Sequence, residues 1–319
     1  MFVSAEAAEA VFAWRDGIDA IRAAYGSPPE PGALPGRAVG RGGGSWLRAL
    51  PALPSGRFFG AKLMGMSTTA PSPGVQYVVV LYDRETSRIA GFVDGNLVTA
   101  YRTASTSAAA LDRLAPPGSI RLAVLGSGLE ASMHVRAFRA TREIEVLTVY
   151  SPTPERREAF AAEFGGRATS GPQETVESAT VVLAAARSRG EVPILRGEWL
   201  GPRAVVVSIG STVPEQREID VGVVERCDLI VCDDVEEVTR ETGDMIEAAH
   251  AGVAFAEKTF SLHALFAGEL DARLASAERP LFKSVGSGLQ DVAVAGLILE
   301  RAVATARATP LPIEFLTKH

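Results

Sequence analysis

Ile120-Arg121-Leu122-Ala123-Val124-Leu125-Gly126-Ser127-Gly128-Leu129-Glu130-Ala131 is the stretch on which the fold turns. A short apolar run reaches two glycines one residue apart, and Ser132 to Phe138 then reads as a helix. In that order the three pieces make a βα unit. Gly126 permits the tight turn and Gly128 lets the backbone approach a pyrophosphate. Small Ala131 lets helix and strand pack closely, with the helix N-terminus facing the phosphates. Gly126, Ser127, Gly128 and Leu129 are therefore the expected pyrophosphate-binding residues. One glycine loop alone is weak evidence, since many βα turns contain two glycines. The runs EIEVLTVY (143–150), TVVLAA (180–185), RAVVVSI (203–209) and DLIVCD (228–233) strengthen it, because they alternate with helical segments. That alternation predicts an α/β class with a Rossmann doubly wound parallel sheet over residues 116–292.

The second strand of the unit ends at Tyr150-Ser151, where an NAD-selective site carries an acid for the ribose hydroxyls. Here Ser151 is neutral, and Thr153, Arg156 and Arg157 follow. Donors and positive charge suit a 2′-phosphate, so NADP(H) is favoured over NAD(H), with Ser151, Thr153 and Arg156 as its expected contacts. The alternative is that both arginines form the solvated face of a helix from Glu155 to Phe164.

Upstream the pattern differs. Val11, Phe12, Trp14, Ile18 and Ile21 recur at helical spacing, with Gly26 placed as a C-cap. Residues 28–60 are rich in Pro and Gly, including Gly42-Gly43-Gly44, and read as an irregular connection. The runs FFGAKLM (58–64), VQYVVVLYD (75–83) and RIAGFVDG (88–95) read as a β-meander. Leu97 to Leu114 is Ala-rich and helical, and Pro116-Pro117-Gly118 stops it. We therefore expect a second, α+β domain for substrate binding and dimerisation over residues 1–115. The apolar helix from Leu289 to Ala308 returns residues 293–319 to it.

Composition narrows the function. With 47% apolar and 22% charged residues, 319 residues suffice for two ordinary cores. A net charge of −6 recommends neither nucleic acid nor anionic lipid as a partner. No apolar run is long enough to span a membrane, and the N-terminus lacks the order of a signal peptide. The two cysteines, Cys227 and Cys232, are too few for a disulfide framework and fit a reducing cytoplasm. His134, His250, His263 and His319 show no metal-ligand spacing, so no metal is expected. Met64 and Met66 read as core.

Two cations need explanation. Arg102 interrupts a helix of small residues, where a guanidinium calls for an anion. Lys62 lies within an apolar run, where a partly desolvated ammonium has a lowered pKa useful for proton transfer. Snorkelling at a strand end is the plainer alternative for Lys62.

With these residues in view, the chain resembles the ornithine cyclodeaminase/mu-crystallin family over nearly its whole length. The motifs are Gly60-Ala61-Lys62, Asp94-Gly95 leading to Leu97-Val98-Thr99-Ala100-Tyr101-Arg102-Thr103-Ala104, Gly126-Ser127-Gly128, and Phe282-Lys283-Ser284-Val285-Gly286 before Asp291. The resemblance implies that Arg37 and Arg102 clamp a substrate α-carboxylate, with Arg41 or Arg48 as alternatives to Arg37. It implies that Lys62 approaches the substrate nitrogen, that Thr103 lies near phosphate, and that Ser284 and Val285 lie near nicotinamide and substrate. A homodimer through the meander domain is also implied. Asp291 is expected to favour the dipole of its helix and hold the loop to the helix start.

The sequence departs from the family in two places. Members that deaminate or cyclise amino acids carry an Asp where Thr212 stands in Gly210-Ser211-Thr212-Val213-Pro214, and a hydroxyl is a poor base near neutral pH. Glu215, Glu218 or Asp220 are the possible substitutes. The mu-crystallin branch also lacks that Asp and is associated with ketimine reduction. Arg48 stands where ornithine-specific members carry an acid, and would either recruit a second carboxylate or face water. The expected function is thus an NAD(P)H-dependent ketimine reductase acting on a cyclic or linear α-imino acid. The alternatives are an ornithine cyclodeaminase, an alanine-type dehydrogenase, or an NADPH-dependent protein that only binds a small ligand.

Overall fold

The computed structural model describes residues 1–69, 74–186 and 191–316. They fall into two compact units, one of residues 1–106 with those from 287 onward, the other of residues 107–286.

In the first unit, strands β1 (Phe2–Val3), β2 (Ala38–Gly42), β3 (Ser45–Ala52), β4 (Phe58–Ser67), β5 (Val75–Asp83) and β6 (Ile89–Asp94) form one sheet in the order β1-β6-β5-β4-β3-β2. The three runs of the expected meander are β4, β5 and β6, paired antiparallel. The expectation of an irregular connection over residues 28–60 is corrected, because β2 and β3 lie within it and extend the sheet. The glycines that suggested a loop make a hairpin. Gly43 and Gly44 have φ of +56° and +72°, and a two-residue turn with both φ positive matches the twist of antiparallel strands.

The opening segment is two helices, α1 (Ala5–Val11) and α2 (Trp14–Gly26), where one was expected. Phe12 and Ala13 between them are extended. Phe12 leaves the helical path to stack on Tyr101 at a ring separation of 4.0 Å, with Trp14 edge-on at 5.0 Å. A Cβ on Gly17 would lie 2.7 Å from the Phe12 ring, so this glycine makes room for the aromatic group. Gly26 is the last residue of α2, and Ser27, in extended conformation, is the C-cap in its place. Helix α3 (Gly95–Leu114) follows and carries Thr99, Arg102 and Thr103.

The second unit holds eight parallel strands: β7 (Ile120–Leu125), β8 (Ile144–Tyr150), β9 (Arg167–Ala168), β10 (Val181–Ala184), β11 (Val205–Ser208), β12 (Leu229–Cys232), β13 (Thr259–Ser261) and β14 (Pro280–Lys283). Their order is β13-β12-β14-β11-β10-β7-β8-β9. Strands β10, β11, β12 and β14 are buried at every residue, the mark of a sheet covered on both faces. Between them run α4 (Leu129–Thr141), α5 (Pro154–Phe164), α6 (Pro172–Val176), α7 (Val221–Arg226), α8 (Val235–Glu241), α9 (Gly243–His250), α10 (Leu262–Phe266) and α11 (Asp271–Leu274). The chain winds outward from β7 to β9, then returns to place β10 on the other side of β7. The reversal between β7 and β10 is a topological switch point, where doubly wound sheets bind ligands at the carboxyl ends of the strands. Finally α12 (Gly288–Ala304) packs in the first unit on α2 and β4.

Candidate functional site

Lys62 lies on β4 with 1% of its surface exposed, and Arg102 on α3 with 6%. Both meet Asp291 in the first turn of α12, which is wholly buried. Lys62 Nζ is 2.9 Å from each Asp291 carboxylate oxygen, and Arg102 Nε donates to Oδ1 at 3.0 Å. Asp291 lies in the first turn of its helix, as expected, and its carboxylate in addition bridges two cations from other elements. Gln290 completes the arrangement, accepting from an Arg102 Nη at 2.9 Å and donating to Tyr25 Oη at 3.0 Å. Thr99 Oγ1 lies 3.4 Å from Lys62 Nζ.

Two cations around one carboxylate leave an excess positive charge and unspent donors. Among the described residues, the second Nη of Arg102 has no hydrogen-bond partner, and Lys62 has a third N–H beyond Asp291 and Thr99. Such a pair can take a carboxylate through a guanidinium edge and a polar atom through an ammonium. Burial lowers the Lys62 pKa to about 8, with the charges of Arg102 and Arg48 adding to that effect and Asp291 opposing it. An ammonium poised there holds its proton at neutral pH yet can release it.

Arg37 immediately precedes β2 and is half-buried. Thr103 is buried on α3 and donates to the Thr99 carbonyl at 2.7 Å.

In the second unit, Gly126 has φ of +124°, and a Cβ there would lie 2.5 Å from the Ala185 carbonyl. Any other residue at this turn would be strained and would strike the end of β10. Gly128 is the N-cap of α4 with no side-chain cap, and a Cβ on it would meet nothing within 4 Å. Open space before uncapped N–H groups fits a pyrophosphate. Leu129, 51% exposed, stands at the same turn. Ser127 donates to the Ser151 hydroxyl at 2.9 Å, tying this turn to the end of β8. Thr153 is the exposed N-cap of α5 and Arg156 is exposed. It is Arg157 that turns back to this strand end, donating to the Ser151 carbonyl at 3.1 Å with its guanidinium over the Tyr150 ring at 5.7 Å.

Sequence reasoning missed Asp233. It sits just past β12 and accepts from the Ser284 hydroxyl at 2.6 Å, Val285 N at 3.1 Å and Gly286 N at 2.8 Å. One carboxylate thus fixes the loop that carries Ser284 and Val285. An acid at the carboxyl end of a buried strand was the available signal.

The loop after β11 has its own arrangement. Thr212 donates from both N and Oγ1 to Gln216 Oε1, at 3.0 and 3.1 Å. Of the possible substitutes for a carboxylate here, Glu215 is exposed, and Asp220 caps α7 by accepting from Val223 N at 3.0 Å. Glu218 is wholly buried and accepts from the Ser208 hydroxyl and from the N–H groups of Ala186, Ile209 and Gly210. Burial pushes it up to about 7 while Lys283 pulls it down. Four donors spent on one carboxylate make it a fastening of β10 to β11.

Among the described residues, no group of three or more His, Cys, Asp or Glu could hold a metal ion, and no helix is long and apolar enough to cross a membrane.

A sequence profile of the ornithine cyclodeaminase/mu-crystallin family matches residues 37–306. The chain belongs to that family. It is 32% identical over 241 residues to the ketimine reductase mu-crystallin of Macropus fuliginosus, covering 74% of this chain and 72% of that one. It is 31% identical over 236 residues to the iminosuccinate reductase of Paracoccus denitrificans, covering 71% of each. The crystal structure of the latter with NAD+ superposes with a TM-score of 0.88 at 25% identity, covering 98% of this chain and 99% of that one. The family and fold assignments made from the sequence hold, and the chain is an enzyme that uses a nicotinamide cofactor.

Proposed function

We propose that this enzyme reduces the C=N bond of a small α-imino acid, that it prefers NADP(H) to NAD(H), and that it works as a homodimer in the cytoplasm. The observation that carries the reading is the buried Lys62–Asp291–Arg102 cluster with its unspent donors. Arg102 binds the α-carboxylate through its remaining Nη edge, aided by Arg37. Lys62 donates a hydrogen bond to the imine nitrogen and offers a proton as the amine forms. Asp291 keeps both cations in place and favours the charged form of Lys62. A nicotinamide cofactor, when bound, would supply the hydride for reduction of the C=N bond. Within the second unit, Ser127, Gly128 and Leu129 would hold its pyrophosphate, and Ser284 and Val285 would serve its nicotinamide. Arg156 and Arg157 beside Ser151 and Thr153 support the preference for a 2′-phosphate.

Thr212 supports reduction over cyclodeamination. Its hydroxyl is committed to Gln216, and the nearby carboxylates are exposed, capping a helix or fastening the sheet. A simple reduction needs one proton delivered to nitrogen, whereas oxidation, imine chemistry and re-reduction need a base that accepts and returns several. The relatives named ketimine reductase and iminosuccinate reductase agree with this.

The test is NADPH and NADH oxidation with pyrroline-2-carboxylate, piperideine-2-carboxylate and pyruvate with ammonium. We expect turnover with at least one imine, lost by about a hundredfold or more in Arg102→Ala and Lys62→Ala. Unchanged rates in both variants would overturn the assignment of the site.

A further inference from the structure

Lys283 is a wholly buried charge for which the proposed reaction has no use. It is the last residue of β14 and lies in register with Ser208, the last residue of β11, whereas the two pairs before it are Val206 with Leu281 and Val207 with Phe282. A charged group and a hydroxyl thus replace apolar packing at the carboxyl ends of both strands. All three ammonium protons are engaged there. Lys283 Nζ lies 3.0 Å from Asp244 Oδ2, in the first turn of α9, and donates to Ser208 Oγ at 3.0 Å and to the Ser211 carbonyl at 3.2 Å.

The network continues on both sides. Ser208 donates to Glu218 Oε2 at 2.7 Å, and the Glu218 carboxylate accepts from Ala186 N, Ile209 N and Gly210 N. Asp244 Oδ1 accepts from Glu218 N at 2.8 Å and Ile219 N at 3.2 Å. A Cβ on Gly243 would strike the Pro214 and Gln216 carbonyls, so α9 begins hard against the same loop. Lys283, Asp244 and Glu218 therefore hold residues 209–219 to the carboxyl ends of β10, β11 and β14.

Stability is a poor reason for this arrangement. Buried charges in mutual contact are often no more stabilising than well-packed apolar groups, and Val, Leu and Phe fill the rest of β11 and β14. What the network fixes is position. Strands β10, β11 and β14 stand in that order on one side of the switch point, and β7 and β8 on the other. A dinucleotide with its pyrophosphate on the Gly126–Gly128 turn and its adenosine toward β8 extends its nicotinamide half across the ends of the first three.

We infer that Lys283 is a positioning residue for the nicotinamide, holding through Ser208 and Ser211 the loop after β11 that carries Thr212. This rests on the reading of Ser284 and Val285 as residues that serve the nicotinamide, and it does not depend on which bond the hydride reduces.

The test uses the full-length protein and separates position from stability. Lys283→Met leaves two buried carboxylates without their cation. Adding Asp244→Asn restores the charge balance and keeps an oxygen for the N–H groups of residues 218 and 219, but Ser211 still lacks its donor. Affinities for NADPH and for 2′-phospho-ADP-ribose, which lacks the nicotinamide, are measured by calorimetry, with NADH and ADP-ribose as a second pair and urea unfolding alongside. We expect Lys283→Met/Asp244→Asn to recover stability relative to Lys283→Met, yet to bind NADPH about tenfold more weakly than wild type and the fragment less than about twofold more weakly. Ser208→Ala, which keeps every charge, should show the same split at about threefold. Equal effects on whole cofactor and fragment, or NADPH affinity that returns with stability in the double variant, overturn the inference. If the double variant does not fold, the absence of a split in Ser208→Ala overturns it alone. The split in a protein that reduces no imine supports this inference and overturns the imine-reductase reading.

Discussion

Asp291→Asn removes the one charge between two buried cations while keeping the shape of the side chain. Breaking a buried ion pair on one side costs about 3–5 kcal/mol, because a desolvated charge is left without its partner. Here part of that loss depends on pH. Lys62 has its pKa at about 8, and Asp291 is the group that raises it, so in the variant the ammonium releases its proton at lower pH. At pH 6, releasing it from the wild-type site costs about 3 kcal/mol, which bounds the pH-dependent part. At pH 9 the wild-type amine is already largely neutral, and that part disappears. In the window between the two native pKa values the variant binds fewer protons than wild type, so its deficit shrinks as pH rises. The expected loss of unfolding free energy is about 3–5 kcal/mol at pH 6. It should be smaller at pH 9 by up to about 3 kcal/mol, the remainder being the stranded Arg102. Urea unfolding followed by tryptophan fluorescence measures it, since Trp14 and Trp46 both lie in the unit that contains the cluster. An equal loss at both pH values, or a loss under about 1 kcal/mol at pH 6, would refute the view that Asp291 holds two charged partners.

Two further predictions follow from single contacts. Arg157→Ala should raise KM for NADPH about tenfold while changing that for NADH less than about twofold, because only NADPH loses a charge-assisted contact. Equal effects on both cofactors would assign Arg157 to the structure of the β8 end alone. In wild type, kcat/KM for imine reduction should fall as pH rises through about 8, where Lys62 loses its proton. Arg48→Met should move that limb upward, since Arg48 is one of the charges that lowers the Lys62 pKa, and a limb that does not move would exclude this coupling.

The Rossmann half was legible because its signals are local. The run into Gly126 and Gly128 states a strand, a turn and a helix in consecutive residues, and buried parallel strands announce themselves as unbroken apolar runs. The β2–β3 hairpin was missed for the opposite reason. Every residue of β2 is exposed, so it has no apolar period, and in sequence the glycine pair that makes its turn does not differ from the other glycines of an irregular stretch. Lys62 and Arg102 stood out as cations among apolar and small neighbours. Their common partner did not. Asp291 is 229 positions from Lys62 and 189 from Arg102, and its place in a helix's first turn says nothing about where its carboxylate points. Arg156 and Arg157 were likewise inseparable in the sequence, since one step around a helix decides which faces the strand end.

Transfer of the hydride itself is the most direct measurement. Stoichiometric enzyme, NADPH deuterated at the transferring C4 position, and a keto acid with ammonium are mixed, and the amino acid formed is analysed by mass spectrometry. The account predicts one deuterium on the α-carbon of the product, with yield lost in Lys62→Ala. Deuterium that stays on the nicotinamide, or an amino acid formed without it, would contradict reduction of the imine at this site.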